Sequence, residues 1–192
     1  MNRRETYPGQ EITSLRLGTT WGNLLLTSGD TTDIEVLISG DDEAASRFVT
    51  QQEKKRVTLT QQGLFRRRKA RWAQAEVRVP KDWKGTLRIS TRKGDLTLID
   101  LSGSDVSIAG GKGETVLQRI TALTLKVKSR GGKVQLRQAS APVMKLRLYR
   151  ARLELEDTVL TKVTGLIRLP QPAQKASKTT NNAPNGEQLE EE

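Results

Sequence analysis

One phrase recurs in this chain at a fixed interval. It is clearest at Thr91-Arg92-Lys93-Gly94-Asp95-Leu96-Thr97-Leu98 and returns nineteen residues later at Gly110-Gly111-Lys112-Gly113-Glu114-Thr115-Val116-Leu117. A further nineteen residues on comes Ser129-Arg130-Gly131-Gly132-Lys133-Val134-Gln135-Leu136, so Gly94, Gly113 and Gly132 stand in step. Leu148-Tyr149-Arg150-Ala151-Arg152-Leu153-Glu154-Leu155 follows with alanine in the glycine slot, and Ala75-Glu76-Val77-Arg78-Val79 precedes in the same phase. Near the N-terminus Thr19-Thr20-Trp21-Gly22-Asn23-Leu24-Leu25-Leu26 repeats the phrase, with Gly22 in the glycine slot. A self-similar period near 20 residues restricts the fold to a solenoid, in which each turn buries its apolar face only against neighbouring turns.

Alternation within the repeats assigns the faces, because successive strand side chains point to opposite sides of a sheet. One inward series runs Val77 and Val79, Leu96 and Leu98, Thr115 and Leu117, Val134 and Leu136, Leu153 and Leu155. The other runs Leu87 and Ile89, Val106 and Ile108, Leu125 and Val127, Met144 and Leu146, with Val163 near the end. Two inward pairs per turn predict a mainly β, single-stranded, flattened β-solenoid with coils of about 19 residues. The competing architecture, an antiparallel β-sandwich, leaves the glycine register without a cause. Gly22, Gly94, Gly113 and Gly132 read as structural turns, stacked at a corner where a sharp bend calls for positive φ.

The predicted organisation is an N-terminal extension over 1–14, a solenoid domain over 15–170 that is irregular between 37 and 76, and a disordered tail over 171–192. Ile34 and Val36 follow Leu24 and Leu26 by ten residues, as Val106 and Ile108 follow Leu96 and Leu98, which predicts a complete coil near the N-terminus. Residues 39–48 break the pattern as a loop or short helical turn. The β-like runs at Val57-Thr58-Leu59 and Val77-Arg78-Val79 flank a basic loop over 63–72, predicting a hairpin with a basic tip or a coil with a long insertion. The tail is rich in Pro, Asn, Gln and Lys before an acidic end.

Hydrophobic residues make up 34% of the chain and aromatics 4%, which suits a thin core of stacked Leu, Val and Ile. The formal net charge is +11, and since residues 171–192 contribute −2, the folded part carries +13. Such a field favours an anionic partner without choosing one. The absence of Cys and His excludes disulfides, thiol nucleophiles and the commonest general base and metal ligand. No cofactor or metal set is offered: Asp41-Asp42-Glu43 lacks the ligand spacing of a calcium loop, and Gly110 to Thr115 falls on the repeat with no helix to follow it. No apolar run long enough for a signal peptide or a membrane span occurs, which reads as cytoplasmic by default.

Val77-Arg78-Val79-Pro80, then Leu87-Arg88-Ile89-Ser90-Thr91-Arg92-Lys93-Gly94-Asp95-Leu96-Thr97-Leu98-Ile99-Asp100-Leu101-Ser102-Gly103, resembles the adhesin-like bacterial domains of the DUF4097 group over about residues 15–169. The resemblance implies a β-solenoid, often in Gram-positive envelope proteins and sometimes beside envelope-stress regulators, and it brings no catalytic residues. It therefore sets an envelope location against the cytoplasmic default.

Two cationic constellations are candidate anion-binding sites. Lys126 and Lys145 are nineteen residues apart and stack on the outer side of the second sheet, as do Lys128 and Arg147; Arg88 starts the first column, which Ser107 interrupts. The outer side of the first sheet is mixed in sign. The second constellation is the run Arg66, Arg67, Arg68, Lys69 and Arg71, flanked by Phe65 and Trp72. The competing reading of the first is a solvated face whose side chains splay apart and block aggregation, and of the second an exposed hairpin tip or a packed Trp72 with solvated arginines. These residues point to a non-enzymatic envelope-associated binding or scaffold domain that meets an anionic envelope polymer, an anionic lipid surface or a protein partner. The alternative is a cytoplasmic nucleic-acid-associated protein. An enzyme would need clustered outward carboxylates, where these faces offer cations and amides.

Overall fold

The computed structural model describes residues 2–62 and 73–159, with 162–168 described for backbone alone. In order it contains β1 (Asn2–Pro8), β2 (Ser14–Thr19), β3 (Asn23–Gly29), β4 (Asp33–Gly40), α1 (Asp42–Ala45), β5 (Phe48–Glu53) and β6 (Arg56–Gln61). There follow β7 (Ala73–Pro80), β8 (Thr86–Thr91), β9 (Leu96–Gly110), β10 (Thr115–Ser129), β11 (Lys133–Ser140), β12 (Val143–Glu156) and β13 (Lys162–Arg168).

The nineteen-residue period is the spatial repeat. Leu96 pairs with Thr115, Thr115 with Val134 and Val134 with Leu153, all in parallel. On the second side Leu87 pairs with Val106, Val106 with Leu125 and Leu125 with Met144, again in parallel. Uniform parallel stacking at one offset is a solenoid and excludes the antiparallel sandwich. The two inward series meet as the core: Leu96, Leu98, Leu117, Leu136, Leu125 and Met144 are fully buried. Each such side chain contributes about 1.5–3 kcal/mol of burial, so a thin core suffices when repeated coil after coil. Leu155 departs from the expected series, for at the end of β12 it is 42% exposed. The final coil is also shorter, since Leu146 pairs with Val163 and Ala151 with Ile167, offsets of 17 and 16.

Strands β9 and β10 each cross from one side of the solenoid to the other without a break. The bend falls on Asp100 and Arg119, with Gln138 and Asp157 at the equivalent places in the next coils, and all four have φ between 48° and 58°. These left-handed positions lie nineteen residues apart and none is a glycine. Asp and Asn tolerate this region best among side chains, and Arg and Gln are unbranched at Cβ, which keeps the cost moderate.

The N-terminal third corrects three expectations. First, β3 lies between β7 and β9, so that Leu26 pairs with Val77 on one side and Leu98 on the other. Strand β2 lies likewise between β6 and β8. The phrase at 75–79 is therefore not the neighbour of the phrase at 94–98; the N-terminal coil, which brings its own glycine at the corner, occupies that place. Second, β4 does not complete a coil. It turns back to pair antiparallel with β7, Val36 opposite Val77, and β1 pairs antiparallel with β4. Third, β6 and β7 do not form a hairpin: β6 pairs with β2 and β5, β7 with β3 and β4, so they lie on the two sides of one coil, as the alternative reading expects, and the loop over 63–72 lies outside the described residues. The antiparallel strands β1, β4 and β5, with α1 contributing buried Ala44 and Ala45, close this end of the stack. A solenoid needs such a cap because its end coils have no neighbour to bury against.

Candidate anion-binding face and corner

The stacked glycines hold the corner together. A Cβ at Gly94 would lie 2.0 Å from the Gly22 carbonyl oxygen, one at Gly113 2.3 Å from that of Gly94, and one at Gly132 2.2 Å from that of Gly113. Close approach of backbone to backbone is what excludes a side chain at Gly94 and Gly113. Positive φ is confined to Gly132, at +74°, so the expected conformational reason applies to one corner of the three. In the first coil the turn is secured by Gln61, whose Oε1 accepts from the N–H groups of Thr20 (3.0 Å), Trp21 (2.9 Å) and Gly22 (3.2 Å). Gln61 itself is buried.

The alternation that buries Leu125 and Val127 turns Lys126 and Lys128 outward, and the same holds for Lys145 and Arg147 on β12. The register sets Lys126 beside Lys145 and Lys128 beside Arg147. The first column is longer than the repeat alone indicates: Arg16 lies beside Arg88, Arg88 beside Ser107, Ser107 beside Lys126, and Lys145 beside the backbone position of Lys162. Arg16 escapes a search at the repeat interval because β2 and β8 are 72 residues apart. The matching phrases Ser14-Leu15-Arg16-Leu17 and Thr86-Leu87-Arg88-Ile89 carry the signal that finds it.

The two outer faces treat charge differently. On the first, Arg78 meets Glu76 at 2.8 Å, Lys133 meets Glu154 at 2.8 Å and Glu114 at 3.6 Å, Arg137 meets Glu156 at 3.3 Å, and Arg152 meets Glu154 at 3.2 Å. Arg119 grips Asp100 with both ends of its guanidinium at the left-handed corner. These pairs leave their mark on acidity: hydrogen bonding from Lys133 holds the Glu154 carboxyl below the usual carboxylate range, and Arg119 does the same for Asp100. On the second face Arg16, Arg88, Lys126, Lys128, Lys145 and Arg147 are exposed, and none has an ion-pair partner among the described residues. Asp105 sits on this side as well, two residues before Ser107. The run Arg66, Arg67, Arg68, Lys69 and Arg71 lies outside the described residues.

A third arrangement, at the N-terminal cap, is structural. Burial alone would raise the Glu5 carboxyl, but hydrogen bonds from Thr50 and Tyr7, together with Arg3, bring it below its ordinary value. The group ties β1 to β5 across the cap. Among the described residues no three Asp or Glu gather as a metal-binding group, and no helix is long and apolar enough to cross a membrane.

Among the described residues, a parallel β-solenoid carries a glycine-stacked corner, an ion-paired face and a face of cations without ion-pair partners. The chain belongs to the family described as Toastrack DUF4097, whose model matches residues 12–168. The fold is similar to that of a "putative cell adhesion protein" from Clostridium sporogenes, with a TM-score of 0.61, 8% identity, and coverage of 81% of this chain and 98% of the other. A "putative adhesin" from Bacteroides fragilis is matched at a TM-score of 0.41 and 13% identity, over 88% of this chain and 97% of that one. No match was found among curated proteins.

Proposed function

We propose that this chain is a non-enzymatic binding or scaffold domain of the bacterial envelope, which holds an anionic surface polymer or anionic lipid surface against the outer face formed by β2, β8, β9, β10 and β12. The observation that carries the reading is the segregation of charge. Cations on the first face are matched with Glu76, Glu114, Glu154, Glu156 and Asp100, whereas Arg16, Arg88, Lys126, Lys128, Lys145 and Arg147 are left for a partner.

Like charges set opposite one another across neighbouring strands destabilise a sheet by ~0.2–1 kcal/mol per pair, and a bound polyanion removes that cost. The non-enzymatic part of the reading is supported by the carboxylates. Glu154 and Asp100 are each engaged by a cation that holds the carboxyl below its ordinary range, an arrangement that suits a surface ion pair. The Clostridium sporogenes protein of similar fold is described as a cell adhesion protein, which agrees with a binding role.

The test is co-sedimentation with phosphatidylglycerol-containing vesicles and pull-down with purified anionic wall polymer. Binding is expected at low salt and is expected to weaken sharply towards about 0.5 M salt, as surface charges become screened. Failure of both partners to bind at low salt would sink the proposal.

A further inference from the structure

Between the cationic face and the glycine corner lies an open groove of about 830 Å³. Five cations line it, Arg92, Lys93, Lys112, Lys128 and Arg130, and no carboxylate does. Four come from three successive turns, Arg92 and Lys93 from the turn between β8 and β9, Lys112 from that between β9 and β10, and Arg130 from that between β10 and β11, and the fifth, Lys128, stands at the end of β10. Adjacent coils are separated by the strand spacing of ~4.8 Å, so the three turns set positive charge along about 10 Å of the stacking axis.

Three further observations mark the groove as a place for a ligand. Its floor is bare main chain, because a Cβ at Gly111 would lie 1.9 Å from the Arg92 carbonyl oxygen. The Lys93 ammonium sits 3.7 Å from the centroid of the Trp21 ring, which holds one cation in place without neutralising it. Thr19, 5% exposed and part of the lining, has a buried hydroxyl with no hydrogen-bond partner among the described residues.

We infer that this groove is a subsite for a linear phosphate-bearing chain laid along the stacking axis of the coils. A single small anion can meet the cations of one turn; a ligand that satisfies all three must carry charges in line. The guanidinium groups of Arg92 and Arg130 present paired donors that fit two oxygens of one phosphate, which a lone ammonium cannot do. The inference deepens the proposal of an anionic partner and rests on it for the sign of the ligand's charge. It adds to the flat face a second contact, at the corner, for phosphates held in line.

The test uses the full chain and inorganic polyphosphate of defined lengths, with orthophosphate for comparison. Polyphosphate is expected to bind about a hundredfold more tightly than orthophosphate at equal total phosphate, the gain of linked over single contacts. Replacing Arg92, Lys112 and Arg130 together by Ser is expected to weaken chain binding at least about tenfold and to lower the log–log salt slope by about 3, one for each lost contact. All three side chains are exposed, so the variant keeps its fold, and its thermal melt verifies this. Arg78→Ser with Arg137→Ser, on the ion-paired face, is expected to change polyphosphate affinity by less than about twofold, since these guanidinium groups are already engaged by Glu76 and Glu156.

Equal affinity of groove variant and wild type, or equal affinity for orthophosphate and chain, overturns the inference. So does tighter binding of a single-stranded oligonucleotide of the same phosphate count that is lost on Trp21→Ala, which would make the ligand a nucleic acid. If polyphosphate fails while vesicles or wall polymer are still held through Lys145 and Arg147, the groove is refuted and the face proposal stands. If polyphosphate binds in the groove while neither vesicles nor wall polymer bind, the face proposal falls and the groove stands.

Discussion

Gly94→Ala is expected to lower unfolding free energy by about 3 kcal/mol or to prevent folding, because overpacking costs 1–3 kcal/mol even where flexible side chains can move aside. Here the obstacle is rigid. The new methyl would meet the Gly22 carbonyl oxygen at 2.0 Å and its carbon at 2.6 Å, and Gly22 is itself pinned, with a Cβ there meeting the Ala73 carbonyl oxygen and the Phe48 ring each at 2.9 Å. Relief would require the corner of one coil to lift from the next, and the shift would propagate through Gly113, which rests on the Gly94 carbonyl. Gly29→Ala is the control, since nothing lies within 4 Å of its added carbon. Urea unfolding of the two variants checks the expectation; a Gly94→Ala variant as stable as Gly29→Ala would mean that the glycines do not stack as described.

Gln61→Leu is expected to be of similar severity. The substitution roughly keeps size and burial but leaves the N–H groups of Thr20, Trp21 and Gly22 without their shared acceptor. An orphaned buried donor costs about 1–3 kcal/mol, so with Gly22 buried and its neighbours partly covered the total loss should be about 3 kcal/mol. The damage is local to the first coil, so amide exchange should accelerate first in β2 and β3 and only afterwards in β10 and β11. Uniform acceleration across all coils, or an unchanged melt, would contradict this role for Gln61. A sequence search does not find it, because Gln61 lies on β6 and secures a turn some forty residues earlier in the chain.

What the sequence shows of this fold is whatever the period governs. Leu96, Thr115, Val134 and Leu153 align as expected, and so do Lys126 with Lys145 and Lys128 with Arg147, because one offset repeated along the chain determines all of these pairings. The N-terminal order is invisible to the period. Leu26 lies beside Leu98 across 72 residues, an interval that no multiple of nineteen supplies, and the choice of β3 over β7 as the neighbour of β9 is made by tertiary packing. The left-handed bends at Asp100, Arg119, Gln138 and Asp157 do sit on the period, but the residue types give no warning, for glycine is the expected occupant. The contrast between the two faces was half legible. Mixed signs on the first face show in the columns, but whether Arg137 reaches Glu156, or Lys133 reaches Glu154, depends on side-chain geometry.

The claim that pairing, rather than net charge, decides which face meets the anionic partner is tested most directly by two variants with the same change in charge. One replaces Lys126, Lys145 and Arg147 by Ser on the unpaired face, and the other replaces Arg78, Arg137 and Arg152 by Ser on the ion-paired face. At ~1 kcal/mol for each basic residue near an anionic surface, the first variant should lose about a hundredfold in affinity for phosphatidylglycerol vesicles or wall polymer at low salt. The second should stay within a few fold of wild type. Equal losses from the two variants would show that only overall charge matters and would contradict the assignment of the binding face.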